Sequence, residues 1–197
     1  MTDLPEALKL ETRTGLPADL RYLVDKYPRE GWWEHPNLGE MAQFWLQRHD
    51  MFRELGGMLK TSAGDYREGK LAPHDFAAWF APRLCFFLQQ LHGHHQIEDL
   101  HYFPVFEKAE TRMKRGFELL DNDHHVIHEA LGRNAETGSR FLQALQSDHD
   151  RQRFAGDAYA MENEALLNML LRHLEDEEDL IIPLILDRSE EGLGVGL

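Results

Sequence analysis

Two segments of the chain, "HHQIEDLHYFP" at 94–104 and "HLEDEEDLIIP" at 173–183, read as one pattern used twice. His94 falls on His173, Glu98 on Glu177, Asp99 on Glu178 and Pro104 on Pro183. Upstream of each, "QRHDMF" around His49 and "DNDHHVI" around His124 set a further histidine among apolar residues, and the separations 49 to 124 and 94 to 173 are nearly equal. A repeat that keeps polar residues on apolar faces narrows the possible folds sharply. Each copy must be one supersecondary unit, and the two units must bury their apolar faces against each other.

Periodicity says what the unit is. Apolar residues recur at helical spacing in four stretches, and there are few alternating β runs and no Asn-Gly hairpin turn. The first stretch, "LGEMAQFWLQRHDMFRELGGMLK", aligns Met41, Trp45, His49, Phe52 and Leu59. The second, from about Pro73 through "HYF", aligns Leu84, Phe87, Leu91, His94 and Glu98. The third, roughly Met113 to Gln146, aligns Phe117, Leu120, His124, Ile127, His128 and Leu131, with Gly132 and Gly138 weakening its far end. The fourth, roughly Arg151 to Leu180, aligns Leu166, Leu170, His173 and Glu177. The breaks "TSAGDYREGKLAP", "PVFEKAE" and "QSDHDRQ" are short or turn-rich, so the expected fold is all-α, an up-down-up-down four-helix bundle. Pro82 is placed to kink the second helix. We expect an N-terminal extension over 1–36, with one short helix and with Trp32 and Trp33 packed on an end of the bundle. The bundle spans 37–187, and a frayed tail follows over 188–197.

Composition removes other classes. The net charge is −14 with no basic stripe, which disfavours nucleic acid. No long apolar run marks a membrane span, and the N-terminus lacks the basic-then-apolar order of a secretory signal. The single cysteine, Cys85 in "PRLCFFL", fits a reducing cytoplasm and reads as a small buried hydrophobe. A cytoplasmic location is therefore expected, and the oligomeric state is left open.

The repeat also has a chemical reading. Residues i and i+4 lie about 40° apart on one helix face, so His94 points with Glu98, His124 with His128, and His173 with Glu177, all toward the core. A buried carboxylate needs a counter-charge, and no Lys or Arg lies on these inward faces. A metal cation is the simplest partner. The candidate ligands are His49, His94, Glu98, His124, His128, His173 and Glu177. His35, His74 and His149 fall in loops or at helix ends, and His92 and His125 lie well round from the ligand faces. His95 and His101 flank the stripe at about 60°, as neighbours of the ligands or surface residues.

This pattern, H…HxxxE…HxxxH…HxxxE/D on four helices, resembles hemerythrin and the hemerythrin-like HHE cation-binding domains over about residues 37–187. The resemblance implies a non-haem centre of two iron ions with an oxo or hydroxo bridge, held by the five histidines and bridged by Glu98 and one carboxylate of the fourth helix. In hemerythrins proper that carboxylate is usually an aspartate five residues after the histidine. Here the fifth residue is Glu178 and the fourth is Glu177. Helix geometry and the repeat both favour Glu177, because Glu178 would lie about 140° round from His173, at the helix flank.

Two octahedral ions would be nearly filled by this set, leaving one open position on the ion held by His49 and His94. Trp45, Phe52, Phe87 and Leu91 are the expected apolar wall beside it. Imidazoles outnumber carboxylates, which favours reversible binding or mild redox chemistry over hydroxylation of carbon. The expected function is binding of O₂ or a related small molecule (peroxide, NO) for storage or sensing. A peroxidase- or catalase-like enzyme of oxidative stress is the alternative, and an iron-responsive regulatory domain, as in an F-box protein with a hemerythrin domain, is the other; whether the chain is an enzyme stays open. Zinc or manganese suits the same donors.

Overall fold

The computed structural model describes residues 5–196. Four long helices carry the molecule: α2 (Glu40–Arg67), α3 (Pro73–Ile97), α5 (Lys114–Ala144) and α6 (His149–Arg188). No strand occurs among the described residues. Helix α2 packs on α3 and α6, and α5 packs on α3 and α6, so the four close into a ring. Among the described residues three short α-helices join them: α1 (Tyr22–Lys26), α4 (Phe103–Ala109) and α7 (Glu190–Leu193).

Local chemistry explains the ends. Pro73 opens α3 at a position where its missing N–H costs nothing. Asp148 caps α6, its carboxylate accepting from the Arg151 N–H at 3.0 Å. The stretch "TSAGDYR", expected as a break, is the last two turns of α2, so the connection shortens to 68–72. "PVFEKAE" is also mostly helical, lying within α4. Between α3 and α4, Glu98–Tyr102 forms one wide π-helical turn. Pro104 cannot donate to the turn before it, and a widened turn accommodates that loss while shifting the residues that follow, so that Phe103 and Phe106 face the core. Its counterpart Pro183 sits inside the unbroken α6.

Three expectations about the periphery are corrected. Trp32 is buried, but Trp33 is 60% exposed and does not cover the bundle. Cys85 is exposed, because the α3 stripe runs through Leu84 and Phe87 on either side of it. The tail is not frayed throughout: α7 buries Leu193, and Glu190 accepts the Ala42 N–H at 2.8 Å, capping α2. Gly39 makes this possible, since a Cβ there would lie 2.4 Å from the Glu190 carboxylate. Gly138, expected to weaken the third helix, is likewise where Leu84 packs against α5, 2.5 Å from an added Cβ.

The core is two apolar clusters. One gathers Trp45, Phe106, Phe117, Leu120, Ile181 and Ile185 with the N-terminal Leu20, Leu23 and Trp32. The other gathers Phe52, Phe80, Phe87, Leu91, Phe141 and Tyr159. Residues 40–67 contribute Trp45 to the first and Phe52 to the second; His49 lies between them in sequence, fully buried. Such a residue is buried with the apolar stripe but cannot be satisfied by it.

Candidate metal centre

Four helices and the π turn bring seven side chains to this polar layer. His49, Glu98, His173 and Glu177 are buried, as are His95 and His124, while His94 keeps a 10% exposed side chain. They form two groups. His49, His94, Glu98 and Glu177 make one, and His95, His124 and His173 make the other; within each, ligand atoms lie within 4.8 Å of one another.

The carboxylates stand between the groups. Glu98 sets Oε1 2.8 Å from His94 Nε2 and Oε2 3.6 Å from His124 Nε2. Glu177 sets Oε1 3.7 Å from His49 Nε2 and Oε2 3.1 Å from His173 Nε2. Each therefore offers one oxygen to each group, the disposition of a bridging carboxylate. His49 and His94 bring their Nε2 atoms to 3.1 Å, and so do His124 and His173. Two ligands about 2.1 Å from one ion at a right angle would lie about 3 Å apart.

The outer ring nitrogens are held by carboxylates, which only accept. His49 Nδ1 donates to Glu178 at 2.9 Å, His124 Nδ1 to Asp99 at 2.7 Å, and His173 Nδ1 to Asp123 at 3.3 Å. With the outer nitrogen as donor, the inner Nε2 is the atom such a ring would offer a metal, the arrangement usual around metal-bound imidazoles. Asp99 and Glu178 are matched positions of the repeat, and each orients the histidine of the other copy. The Trp45 indole N–H donates to Glu177 Oε1 at 2.8 Å.

Arginines neutralise the buried outer carboxylates Asp123 and Glu178. Arg13, its side chain 1% exposed, pairs with both Asp123 and Asp176. Arg29 and Arg53 each lie 2.7 Å from Glu178. Burial pushes Glu178 up, but His49 and the two arginines outweigh it and hold the carboxyl down at about 2. None of this relief reaches the inner layer. Among the described residues no Lys or Arg pairs with Glu98 or Glu177, and His95 Nε2, both Glu98 oxygens and Glu177 Oε2 are buried without a hydrogen bond. Burial and the neighbouring Glu177 raise Glu98 well above the carboxylate range. Burial pushes His94 and His95 well down, so these rings are neutral. It also lowers His173, but Asp123 and Glu177 reverse the sign and carry it up to about 9. Two buried carboxylates with no Lys or Arg partner, beside the neutral His94 and His95 rings, are what a cation would satisfy, and a bound cation would displace the proton of His173, so the residues fit a metal pair.

Six of the seven sequence candidates meet here; His128 does not. It is exposed, with its Nδ1 3.1 Å from His92 Nδ1. The buried positions of α5 run Leu120, His124, Ile127, Leu131 and Asn134, and His128 lies about 100° round from Ile127. His95, read from sequence as a neighbour or surface residue, joins the cluster instead. Its ring stacks on His124 with centroids 4.0 Å apart. The signal is in the sequence: the buried α3 positions Phe80, Leu84, Phe87, Leu91 and His95 fall three or four residues apart. Glu178 is a second miss, since it is 2% exposed and oriented on His49 rather than idle at the flank.

One group is open. A cavity of about 360 Å³, lined by Trp45, Arg48, Gln90, His94, Glu98 and Tyr102 among others, reaches the His94–Glu98 side. No helix among the described residues is long and apolar enough to cross a membrane.

Comparison with known proteins agrees with this geometry. Residues 40–185 match the family model described as the hemerythrin HHE cation-binding domain, and this span takes in all seven clustered residues. No curated protein and no solved structure matches the chain. With two carboxylates set between five inward imidazoles and a family model matching most of the chain, the protein belongs to the hemerythrin HHE cation-binding domain family.

Proposed function

We propose that His49, His94, His95, Glu98, His124, His173 and Glu177 hold two metal ions, with iron the best match to a mixed imidazole and carboxylate set and zinc or manganese able to use the same donors. The protein then binds O₂ or a related small molecule, peroxide or NO, for storage or sensing. When bound, the metal pair supplies redox equivalents and an open coordination position. The carrying observation is the cavity, which reaches the group with two histidines and not the group with three. Around it Trp45 fixes Glu177, and Phe52 and Trp45 pack on His94 at ring distances of 5.2 and 6.0 Å. These rings give the inner end of the cavity an apolar wall.

Peroxide consumption is the second reading, because the cavity exceeds the needs of a diatomic molecule and has Arg48 and Gln90 in its lining. Metal analysis and an absorption spectrum of the reduced, then aerated protein test both. About two ions per chain and a spectrum restored by reduction after aeration support the binding function. Rapid loss of added peroxide favours the enzyme, and about one ion per chain overturns the two-metal centre.

A further inference from the structure

His92 of α3 and His128 of α5, which the buried centre does not use, face each other at the surface. Their Nδ1 atoms are 3.1 Å apart and their ring centroids 4.8 Å apart. Among the described residues each has the other as its only polar partner. His92 precedes His95 by three residues and His128 follows His124 by four, so both lie about one turn from the stacked, buried His95–His124 pair. The seam between α3 and α5 thus carries two imidazole rungs, one exposed and one inside.

A single hydrogen bond is a weak use of two rings that hold their nitrogens at this separation. Two nitrogens about 2.0–2.1 Å from one ion lie about 2.8–3.4 Å apart across right-angled to tetrahedral geometry, which these atoms already meet. The net charge of −14 draws cations to the surface. With only two protein donors, water would fill the remaining positions, so binding would be weak and reversible, as a transit site requires.

We propose that His92 and His128 form a two-imidazole site for a divalent first-row transition-metal ion, through which metal is passed to the buried centre. The transit role rests on the reading of that centre as a metal site; the surface site does not.

Two measurements on the full chain test this. In the first, metal-loaded protein is titrated with Zn(II) by calorimetry. Wild type should take up an ion beyond those of the centre, and His92→Gln and His128→Ala should each weaken that binding roughly tenfold or more. In the second, chelator-treated protein is given Fe(II) without oxygen, and metal uptake is followed in time. The variants should load several times more slowly yet reach the wild-type metal content and melting temperature. No extra Zn(II) ion in wild type overturns the site, and extra Zn(II) with unchanged loading rates overturns the transit role. A lower final iron content in His128→Ala also overturns the proposal, because it makes His128 a ligand of the interior. Should wild type take up no iron at all, the buried-centre reading fails, while the calorimetry still decides the surface site.

Discussion

The two halves of the centre descend from one repeat, yet they are not equivalent. His49 with His94 matches His124 with His173, and in each half the two Nε2 atoms meet at 3.1 Å. Two matched positions break the likeness. Where one copy has His95, the other has Leu174, so the His124–His173 half gains a third imidazole. Where one has Asp123, the other has Arg48. Asp123 lies fully buried against His173 and is locked by Arg13, whereas Arg48 donates to Gln90 at 2.9 Å and lines the cavity beside His94. One half is thereby sealed around buried side chains, and the other is reached by the cavity. The difference teaches that a repeat can supply the frame of a centre while two substitutions decide where a ligand enters.

The sealed half depends on the N-terminal extension, and removing that dependence should have the largest effect. Arg13 pairs with Asp123 and, together with Arg172, with Asp176, and Arg13 and both carboxylates are buried. Arg13→Met leaves two carboxylates partly uncompensated and should destabilise the fold by about 3–5 kcal/mol. Arg29→Ala, which loosens Glu178 beside the open half from a position 38% exposed, should cost only about 1 kcal/mol or less. Urea denaturation of the two variants measures the contrast; equal losses would remove it.

Glu178 ranks next. Removing it leaves the buried His49 Nδ1 without its acceptor and Arg29 and Arg53 without their shared partner. Glu178→Ala should cost about 1–3 kcal/mol and loosen metal at the open half, as read by denaturation and by metal content after dialysis. A change within experimental scatter would return Glu178 to the bystander that helix geometry alone made of it.

The third prediction makes the halves alike. His95→Leu copies the residue at the matched position Leu174. The metal-free protein should lose little stability, or gain some, because a buried orphan Nε2 disappears. Metal at the formerly sealed half should be held more weakly, roughly tenfold or more in dialysis against chelator. Unchanged metal retention would exclude His95 from the ligand set.

What could be read from sequence followed from regular helix geometry. The all-α fold, His49, His94, Glu98, His124, His173 and Glu177 all came from spacing, because i and i+4 share a face wherever a helix is regular. His95 and His128 change places because two histidines at i and i+4 define a helix face less well than the whole apolar stripe does. Phe80, Leu84, Phe87 and Leu91 run on to His95, while Ile127 and Leu131 leave His128 outside. The π turn and the arginines of the extension were beyond reach for another reason. A proline alone does not announce the turn, since the matched Pro183 sits within the unbroken α6, and no local pattern connects Arg13 with Asp123, which lies 110 residues away.

The smallest effect should come from the rim of the open half. Arg48 lies 5.4 Å over the Phe52 ring, hydrogen-bonds Gln90 across the α2–α3 seam, and touches neither carboxylate of the centre. Its loss removes only a partly buried hydrogen bond, so Arg48→Ala should change stability by no more than about 1 kcal/mol. Its guanidinium also narrows the cavity that reaches His94, and it is a cation beside the path of an incoming anion. The two roles predict opposite results for different ligands. Azide should bind more slowly to Arg48→Ala, because the attraction is gone, whereas uncharged NO should bind faster through the wider mouth. Stopped-flow mixing of metal-loaded protein with each ligand separates them. If both rates stay at the wild-type value, ligands reach the centre by another route, and the cavity does not distinguish the two halves.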